Sequence, residues 1–224
     1  MKLDVLNKFL LIAHHPQKNR FLTSETCLNY SIIGALLLDM GTNKQIRLEK
    51  NKLRLAESAN SNNPIITEII DTIRKSKKTR SIKNWMIKLN NKSNKFKTEI
   101  LTQLEKKDLV RIEHKKILGL IPYTKSYITN NSVRDTLIEE IRNAALSKKE
   151  LNQDTISILA LIEACKLHSV IASNKQELKK LRKELKSIIK ENPMAHVVDK
   201  TIKQIQDAIV ATLITSATVI HPSN

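Results

Sequence analysis

Apolar residues recur at helical spacing along most of the chain, and this periodicity predicts a mainly helical protein. The first helix shows the pattern clearly, with apolar residues at Leu3, Leu6, Phe9, Leu10 and Ile12. It should end near Pro16, because proline cannot continue a helix.

The second predicted helix is apolar on almost every face. We expect it to run from Thr26 to Met40, with Ser24 as its N-cap and Gly41 as its end. A helix without a polar face needs neighbours on all sides. This pattern therefore predicts the helix at the centre of the fold.

Two stretches alternate between apolar and polar residues, which predicts two β-hairpins. The first runs from Gln45 to Leu55 around a turn at Lys50-Asn51. The second runs from Asp108 to Pro122 and directly follows a predicted helix. The apolar face of that helix consists of Phe96, Ile100, Leu101 and Leu104.

The same spacing predicts the remaining helices. One begins with Pro64 in its first position, and another is anchored by Trp85. The others are expected at residues 133–146, 155–167, 176–190 and 194–218. The predicted fold class is mainly α, a helical bundle around the central apolar helix with two peripheral β-hairpins, in a single domain spanning 1–224.

The charge of the chain is large and unevenly placed. The formal net charge is +17 at pH 7. Ten basic residues and no acidic residue lie within one segment: Arg74, Lys75, Lys77, Lys78, Arg80, Lys83, Lys88, Lys92, Lys95 and Lys97. Nucleic acid, anionic lipid and acidic proteins all fit such a surface. A lysine-rich composition from an AT-rich genome is the alternative explanation for the overall excess, and it accounts less well for the uneven placement.

The middle of the second predicted hairpin is apolar on both faces. The segment is Ile117, Leu118, Gly119, Leu120 and Ile121, and two lysines stand immediately before it. An exposed hairpin should alternate instead. Such a tip either is buried in the protein's own core or an oligomer, or enters a lipid interface.

The sequence contains no recognisable catalytic or metal-binding motif. The six histidines lack metal-ligand spacing, so we expect them to be surface or hydrogen-bonded side chains. Cys27 and Cys165 lie in apolar helical patterns, which predicts buried free thiols. We therefore expect a non-enzyme that needs no cofactor and no metal.

The lack of recognisable targeting and membrane-spanning signals in the sequence also predicts a cytoplasmic protein. No stretch approaches the ~20 apolar residues that span a bilayer. The start of the chain carries Asp4 and lacks a small-residue cleavage site, which argues against a signal peptide. Any membrane contact should be peripheral, on the cytosolic face.

In the order of its motifs, the chain resembles the Golgi phosphoprotein 3 family from about Leu3 to about Leu213. The segments that carry the resemblance are residues 30–40 (YSIIGALLLDM), 45–48 (QIRL), 64–71 (PIITEIID), 84–89 (NWMIKL), 104–110 (LEKKDLV) and 158–162 (ILALI). The abundance of Lys, Asn and Ile favours a bacterial member.

The resemblance implies a peripheral membrane protein that binds phosphatidylinositol 4-phosphate in a basic pocket. It also implies an apolar hairpin that inserts into the bilayer, here Ile117 to Ile121, and cytosolic tails of membrane proteins as partners. The family's two basic pocket residues on the helix before the hairpin fall on Asn94 and Lys97, and Lys92 and Lys95 lie close by.

Other positions depart from the family's pocket. Its tryptophan and arginine fall on Ser24 and Ile33, and its Thr-Gly-Asp reads Ile65-Ile66-Thr67. These departures, together with Asn94, favour a general preference for anionic headgroups over selective recognition of one phosphoinositide.

Two other functions remain open at this stage. A helix followed by a hairpin has the order of a winged helix, and the positive charge suits a nucleic-acid backbone. The apolar tip argues against this reading, because DNA-binding wings are usually basic. A structural adaptor that forms a homo-oligomer through the apolar hairpin is the third hypothesis.

Overall fold

The computed structural model describes residues 3–117, 121–147 and 151–203. The fold is mainly α, with 64% helix and two small antiparallel sheets of two strands each. This confirms the predicted fold class. The helices are α1 (Val5–Ala13), α2 (Glu25–Thr42), α3 (Pro64–Arg74), α4 (Ile82–Leu89), α5 (Ser93–Glu105), α6 (Asn131–Ser147), α7 (Gln153–Ala164), α8 (His168–Ile171) and α9 (Lys175–Lys190). Residues 193–203 are also helical, and the rest of the helix predicted to reach residue 218 lies outside the described residues.

The central position predicted for α2 is confirmed. Ser24 caps the helix by accepting a hydrogen bond from the Cys27 backbone N–H at 3.2 Å. Helices α1, α4, α5 and α7 all pack against α2. Since nearly every face of α2 is covered, its apolar surface lies in the core rather than in water.

Two glycines allow the helical residues 193–203 to approach α2 closely. A Cβ at Gly34 would lie 2.8 Å from Cγ1 of Val198, and a Cβ at Gly41 would collide with the side chain of Met194. The prediction that Gly41 ends α2 is wrong, because the helix continues to Thr42 and is capped by Asn43. Gly41 is required here for close packing and not for a left-handed turn.

The first hairpin forms as predicted. Strands β1 (Ile46–Glu49) and β2 (Lys52–Leu55) pair in antiparallel register. Lys50 and Asn51 both adopt positive φ, at 47° and 62°, as a two-residue type I′ turn requires. The backbone N–H of Leu53 donates to the Arg80 carbonyl at 2.9 Å, which holds the loop before α4 against β2.

The second hairpin is longer than predicted. Strands β3 (Val110–Ile117) and β4 (Ile121–Ile128) pair from Val110↔Ile128 to Ile117↔Ile121. Pro122 does not end the hairpin but lies within β4 opposite Lys116. A two-stranded sheet has only edge strands, where a residue without an N–H is tolerated.

The break between α7 and α8 is a second departure from the predicted elements. One helix over residues 155–167 was expected, but α7 ends at Ala164, and Lys166 has φ 56°. The chain turns there and resumes as α8. The buried apolar side chains form one cluster, with Trp85, Phe9 and Phe96 as its largest members.

Candidate anion-binding surface

The first turns of α5 present Asn94 and Lys97 one turn apart, on the same side of the helix. Asn94 is exposed, whereas Lys97 is partly buried. Nζ of Lys97 lies 4.0 Å from Oε1 of Glu25 in the first turn of α2. Burial lowers the pKa of Lys97, and the charge of Glu25 partly offsets this effect. The structure thus brings Lys97 beside Glu25, which follows Ser24 at the start of α2.

Lys92 and Lys95 converge on one carboxylate of α3. The Nζ atoms of Lys92 and Lys95 lie 2.8 and 2.6 Å from the carboxylate oxygens of Glu68. Hydrogen bonds from both lysines lower the pKa of Glu68. These three side chains were not connected by the sequence analysis, because Glu68 lies 27 residues before Lys95.

Carboxylates elsewhere in the chain neutralise only part of the positive charge of the acid-free segment from Arg74 to Lys97. Carboxylates outside the segment form ion pairs with Arg74, Lys92, Lys95 and Lys97. The carboxylates are Glu25, Glu68, Asp71 and Glu99. Positive charge remains in clear excess over this part of the chain.

Ile33 does not take part in this surface. Its side chain is fully buried in α2, so it contributes to the core. Among the positions that the resemblance assigned to the pocket, Asn94 and Lys97 share one side of α5, and Lys97 contacts Glu25, the residue after Ser24. Ser24 acts as the N-cap of α2, a role that the sequence predicted.

The described outer part of the second hairpin is exposed on both faces. His114, Lys115 and Lys116 on β3 are exposed, as is Thr124 on β4, whereas Val110 at the root is buried. The hairpin thus leaves the body of the protein before its tip. Leu118, Gly119 and Leu120 lie outside the described residues, as do the side chains of Ile117 and Ile121.

Polar contacts fix the root of the hairpin to the helical body. The backbone N–H of Ile112 donates to Oε1 of Glu105 at 2.7 Å, at the end of α5. On the other strand, the hydroxyl of Ser126 lies 2.9 Å from Nε2 of His14. Because Nδ1 of His14 faces the His15 carbonyl at 2.8 Å, Nδ1 donates and Nε2 accepts from Ser126. Burial lowers the pKa of His14, which favours this neutral form.

The prediction of buried free thiols is confirmed. Cys27 and Cys165 are buried and form no disulfide, and Ser31 lies close to both thiols, with its Oγ 3.0 Å from Sγ of Cys165 and 4.0 Å from Sγ of Cys27. Burial raises the pKa of the Cys165 thiol, which disfavours the reactive thiolate.

A buried ionic cluster that no pattern in the sequence predicted joins α7 to the helical residues 193–203. Glu163 accepts from Nε2 of His168 at 2.5 Å and from Nζ of Lys203 at 2.6 Å. Nζ of Lys203 also lies 3.0 Å from Oδ1 of Asp199. A carboxylate in the otherwise apolar residues 158–164 was the available signal.

The described ranges contain neither a group of three or more His, Cys, Asp or Glu side chains suited to a metal ion nor a helix long and apolar enough to cross a membrane.

The chain was compared with known proteins. The model of the family Golgi phosphoprotein 3 (GPP34) matches residues 6–205. No curated protein matches. A bacterial origin stays a prediction. The family match extends from α1 into the helical residues 193–203 and so covers nearly the whole chain, in agreement with the resemblance in motif order. This chain is therefore a member of the Golgi phosphoprotein 3 family.

Proposed function

We propose that the protein is a peripheral membrane-binding protein that recognises anionic phospholipid headgroups and does not act as an enzyme. The observation that carries this proposal is the family match over residues 6–205, which is consistent with a peripheral lipid-binding role. Lys92, Lys95, Lys97 and Asn94 would face the headgroups, and residues 117–121 would enter the bilayer.

The charge of the surface supports this role. Near an anionic leaflet each lysine or arginine contributes about 1 kcal/mol, and this attraction falls off within a Debye length. Lys95 has a side chain that is 57% exposed although it is paired with Glu68. Exposed ion pairs of this kind are weak, so a headgroup phosphate can compete with Glu68 for Lys95.

The hairpin supplies the second part of the proposal. Exposed Lys115 and Lys116 precede the apolar tip. When apolar residues enter the acyl boundary, lysines beside them remain at the level of the headgroups. The contacts of Glu105 and Ser126 at the root would keep the hairpin in a fixed direction.

Phosphatidylinositol 4-phosphate is the specific candidate ligand that follows from the family. At the positions of the family's pocket this chain supplies one cation, Lys97, together with the amide of Asn94. We therefore propose a general preference for anionic headgroups, on the cytosolic face of a membrane. Cytosolic tails of membrane proteins are the proposed protein partners.

Flotation with vesicles tests the proposal. The protein should float with vesicles rich in phosphatidylserine or phosphatidylinositol 4-phosphate at low salt, and should stay unbound with neutral phosphatidylcholine. Raising the salt should weaken the binding. If the protein floats with neither anionic lipid and instead causes a salt-sensitive gel shift of duplex DNA, the membrane proposal is overturned in favour of a nucleic-acid-binding protein.

A further inference from the structure

We propose that a small cavity beside Trp85 is a phosphate-binding site, separate from the surface around Lys97. The cavity has a volume of about 220 Å³. It lies between β2, the end of α3, the loop before α4 and α4 itself. The lining side chains that can donate hydrogen bonds are Arg54, Arg74, Ser76, Lys78 and Thr79.

The walls of this cavity are held in place by hydrogen bonds. Arg54 on β2 donates to the hydroxyl of Thr79 at 3.2 Å. Arg74 in the last turn of α3 donates to the Ala59 carbonyl at 3.0 Å. The loop between them is joined to β2 through the bond from Leu53 to Arg80. Arg54 and Arg74 are thus positioned before any ligand binds, which reduces the entropy cost of binding.

The charge of the wall indicates an anion. Three cationic side chains line the cavity, and no carboxylate is among the lining residues. Glu49 lies 3.5 Å from Nε of Arg54, and Asp71 lies 3.4 Å from the Arg74 guanidinium, but these pairs are about half exposed. Exposed ion pairs are weak, so a phosphate in the cavity can compete with each carboxylate for its arginine.

The neighbouring groove between α3 and α4 provides a contrast. It is larger, at about 780 Å³, and also has three lysines, Lys75, Lys88 and Lys92. Glu68 and Asp71 line the same groove, so an anion there would meet two carboxylates. The cavity beside Trp85 is the better anion site of the two.

Trp85 closes the inner side of the cavity. Its side chain is 1% exposed, so the indole belongs to the core and presents little more than its edge to a ligand. The guanidinium of Arg80 lies 5.1 Å from the centre of its ring, so a further positive charge stands close to the cavity. A wall with many donors and few acceptors suits a ligand made of acceptor oxygens.

Size and geometry select the phosphate group within the class of anions. Pockets for drug-sized ligands measure roughly 300–1,000 Å³, so this cavity suits a single small group rather than a polymer. Guanidinium groups bind phosphate oxygens through two parallel hydrogen bonds. The phosphate could belong to a lipid headgroup or to a soluble phosphorylated compound, since both present the same oxygens.

Trp85 is the only tryptophan of the chain, so its fluorescence comes from a side chain that lines this cavity, and the Arg54 and Lys78 variants assign the signal to the cavity. We expect a saturable change when the full-length protein is titrated with inorganic pyrophosphate. Arg54→Gln and Lys78→Gln should each weaken binding about tenfold or more, because each removes a charge-assisted hydrogen bond. Lys179→Gln, at an exposed position on α9, should leave the titration unchanged.

Two further titrations, one with a soluble inositol phosphate and one with phosphoinositide vesicles, distinguish the source of the phosphate. If a soluble inositol phosphate saturates the fluorescence change and vesicles cause no change, the site binds soluble ligands. If only phosphoinositide vesicles change the fluorescence, the site binds lipid. No saturable change with any of the probes would overturn the proposal. Unchanged pyrophosphate affinity in both Arg54→Gln and Lys78→Gln would also overturn the proposal, provided that circular dichroism shows both variants folded. The site does not rest on the proposed membrane role, because pyrophosphate binding needs no vesicle.

Discussion

Arg134 is a buried cation that stabilises the end of α1. Its guanidinium donates to the carbonyl oxygens of Leu11, Ile12 and His14 at 3.1 to 3.2 Å. The last carbonyls of a helix have no partner within the helix, and Arg134 satisfies them from α6. Burial lowers the pKa of Arg134, yet an arginine remains charged in proteins.

Replacing Arg134 should therefore destabilise the fold. Arg134→Met keeps most of the apolar chain but leaves three carbonyls without their donor, and we expect a loss of about 3 kcal/mol in the free energy of unfolding. Urea denaturation measures it. Arg182→Met, at an exposed position on α9, is the matched control and should change stability by less than about 0.5 kcal/mol. Equal effects of the two variants would show that the helix-end contacts do not matter.

Glu163 predicts a pH dependence of stability. Burial raises its pKa, but the hydrogen bonds and charges of His168 and Lys203 outweigh burial and lower the pKa to about 2. Because this lies below the ordinary value, ionised Glu163 stabilises the fold above pH 4.5, and the contribution is lost as the pH falls from about 4.5 to about 2. Asp199 acts in the opposite sense, since burial raises its pKa.

The corresponding variant is Glu163→Gln. At pH 7 it should lower the free energy of unfolding by about 3 kcal/mol, and its difference from the wild type should shrink below pH 4.5. Denaturant titrations between pH 7 and pH 3 measure both effects. Glu57→Gln, at an exposed loop position, should follow the wild type. A difference for Glu163→Gln that does not vary with pH would contradict the assigned pKa.

At the scale of elements, the pairing of α3 with α5 controls how much positive charge is available to a ligand. Glu68→Gln would release Lys92 and Lys95 from their shared carboxylate. We expect this variant to bind anionic vesicles more tightly than the wild type, by about 1 kcal/mol for each cation made available. Vesicle flotation across a series of lipid concentrations measures the change.

The control for Glu68→Gln is Glu140→Gln on α6, which removes the same charge from an exposed position without a salt bridge to these lysines. An equal gain for both variants would mean that net charge alone decides binding. A loss of binding for Glu68→Gln would mean that Glu68 positions the lysines rather than masks them.

Local signals in the sequence were sufficient for most elements. The cap at Ser24, the turn at Lys50-Asn51 and Pro64 at the start of α3 each set the backbone through its own residues. The α7–α8 break was missed because Lys166, and not glycine, adopts the left-handed conformation there. Gly41 was misread because its role depends on Met194, which is distant in sequence.

The candidate site was less predictable than the fold. The lysines of residues 92–97 were identified from charge and resemblance, but their pairing with Glu68 and Glu25 arises only from helix packing. The cavity beside Trp85 combines residues of β2, α3, a loop and α4. No periodicity or spacing in the sequence indicates that these four elements meet.

For the whole molecule, the distribution of charge matters more than its total. The excess of +17 attracts any polyanion, so it cannot by itself select a membrane over a nucleic acid. The apolar tip of the second hairpin provides the discrimination, because it would insert into lipid and would find no equivalent in a duplex. The proposed membrane role therefore depends on the positively charged surface and the tip acting together.

The most direct test is flotation with anionic vesicles of the double variant Leu118→Asp, Leu120→Asp beside the wild type. The control variant Asn143→Asp, Gln176→Asp adds the same two charges at exposed positions of α6 and α9, and gel filtration reports oligomer size. The proposed function predicts that the tip variant loses vesicle binding, keeps its size and folds normally, while the control still floats. Flotation of the tip variant to the same extent as the control would contradict it, and dissolution of an oligomer by the tip variant would favour self-association instead.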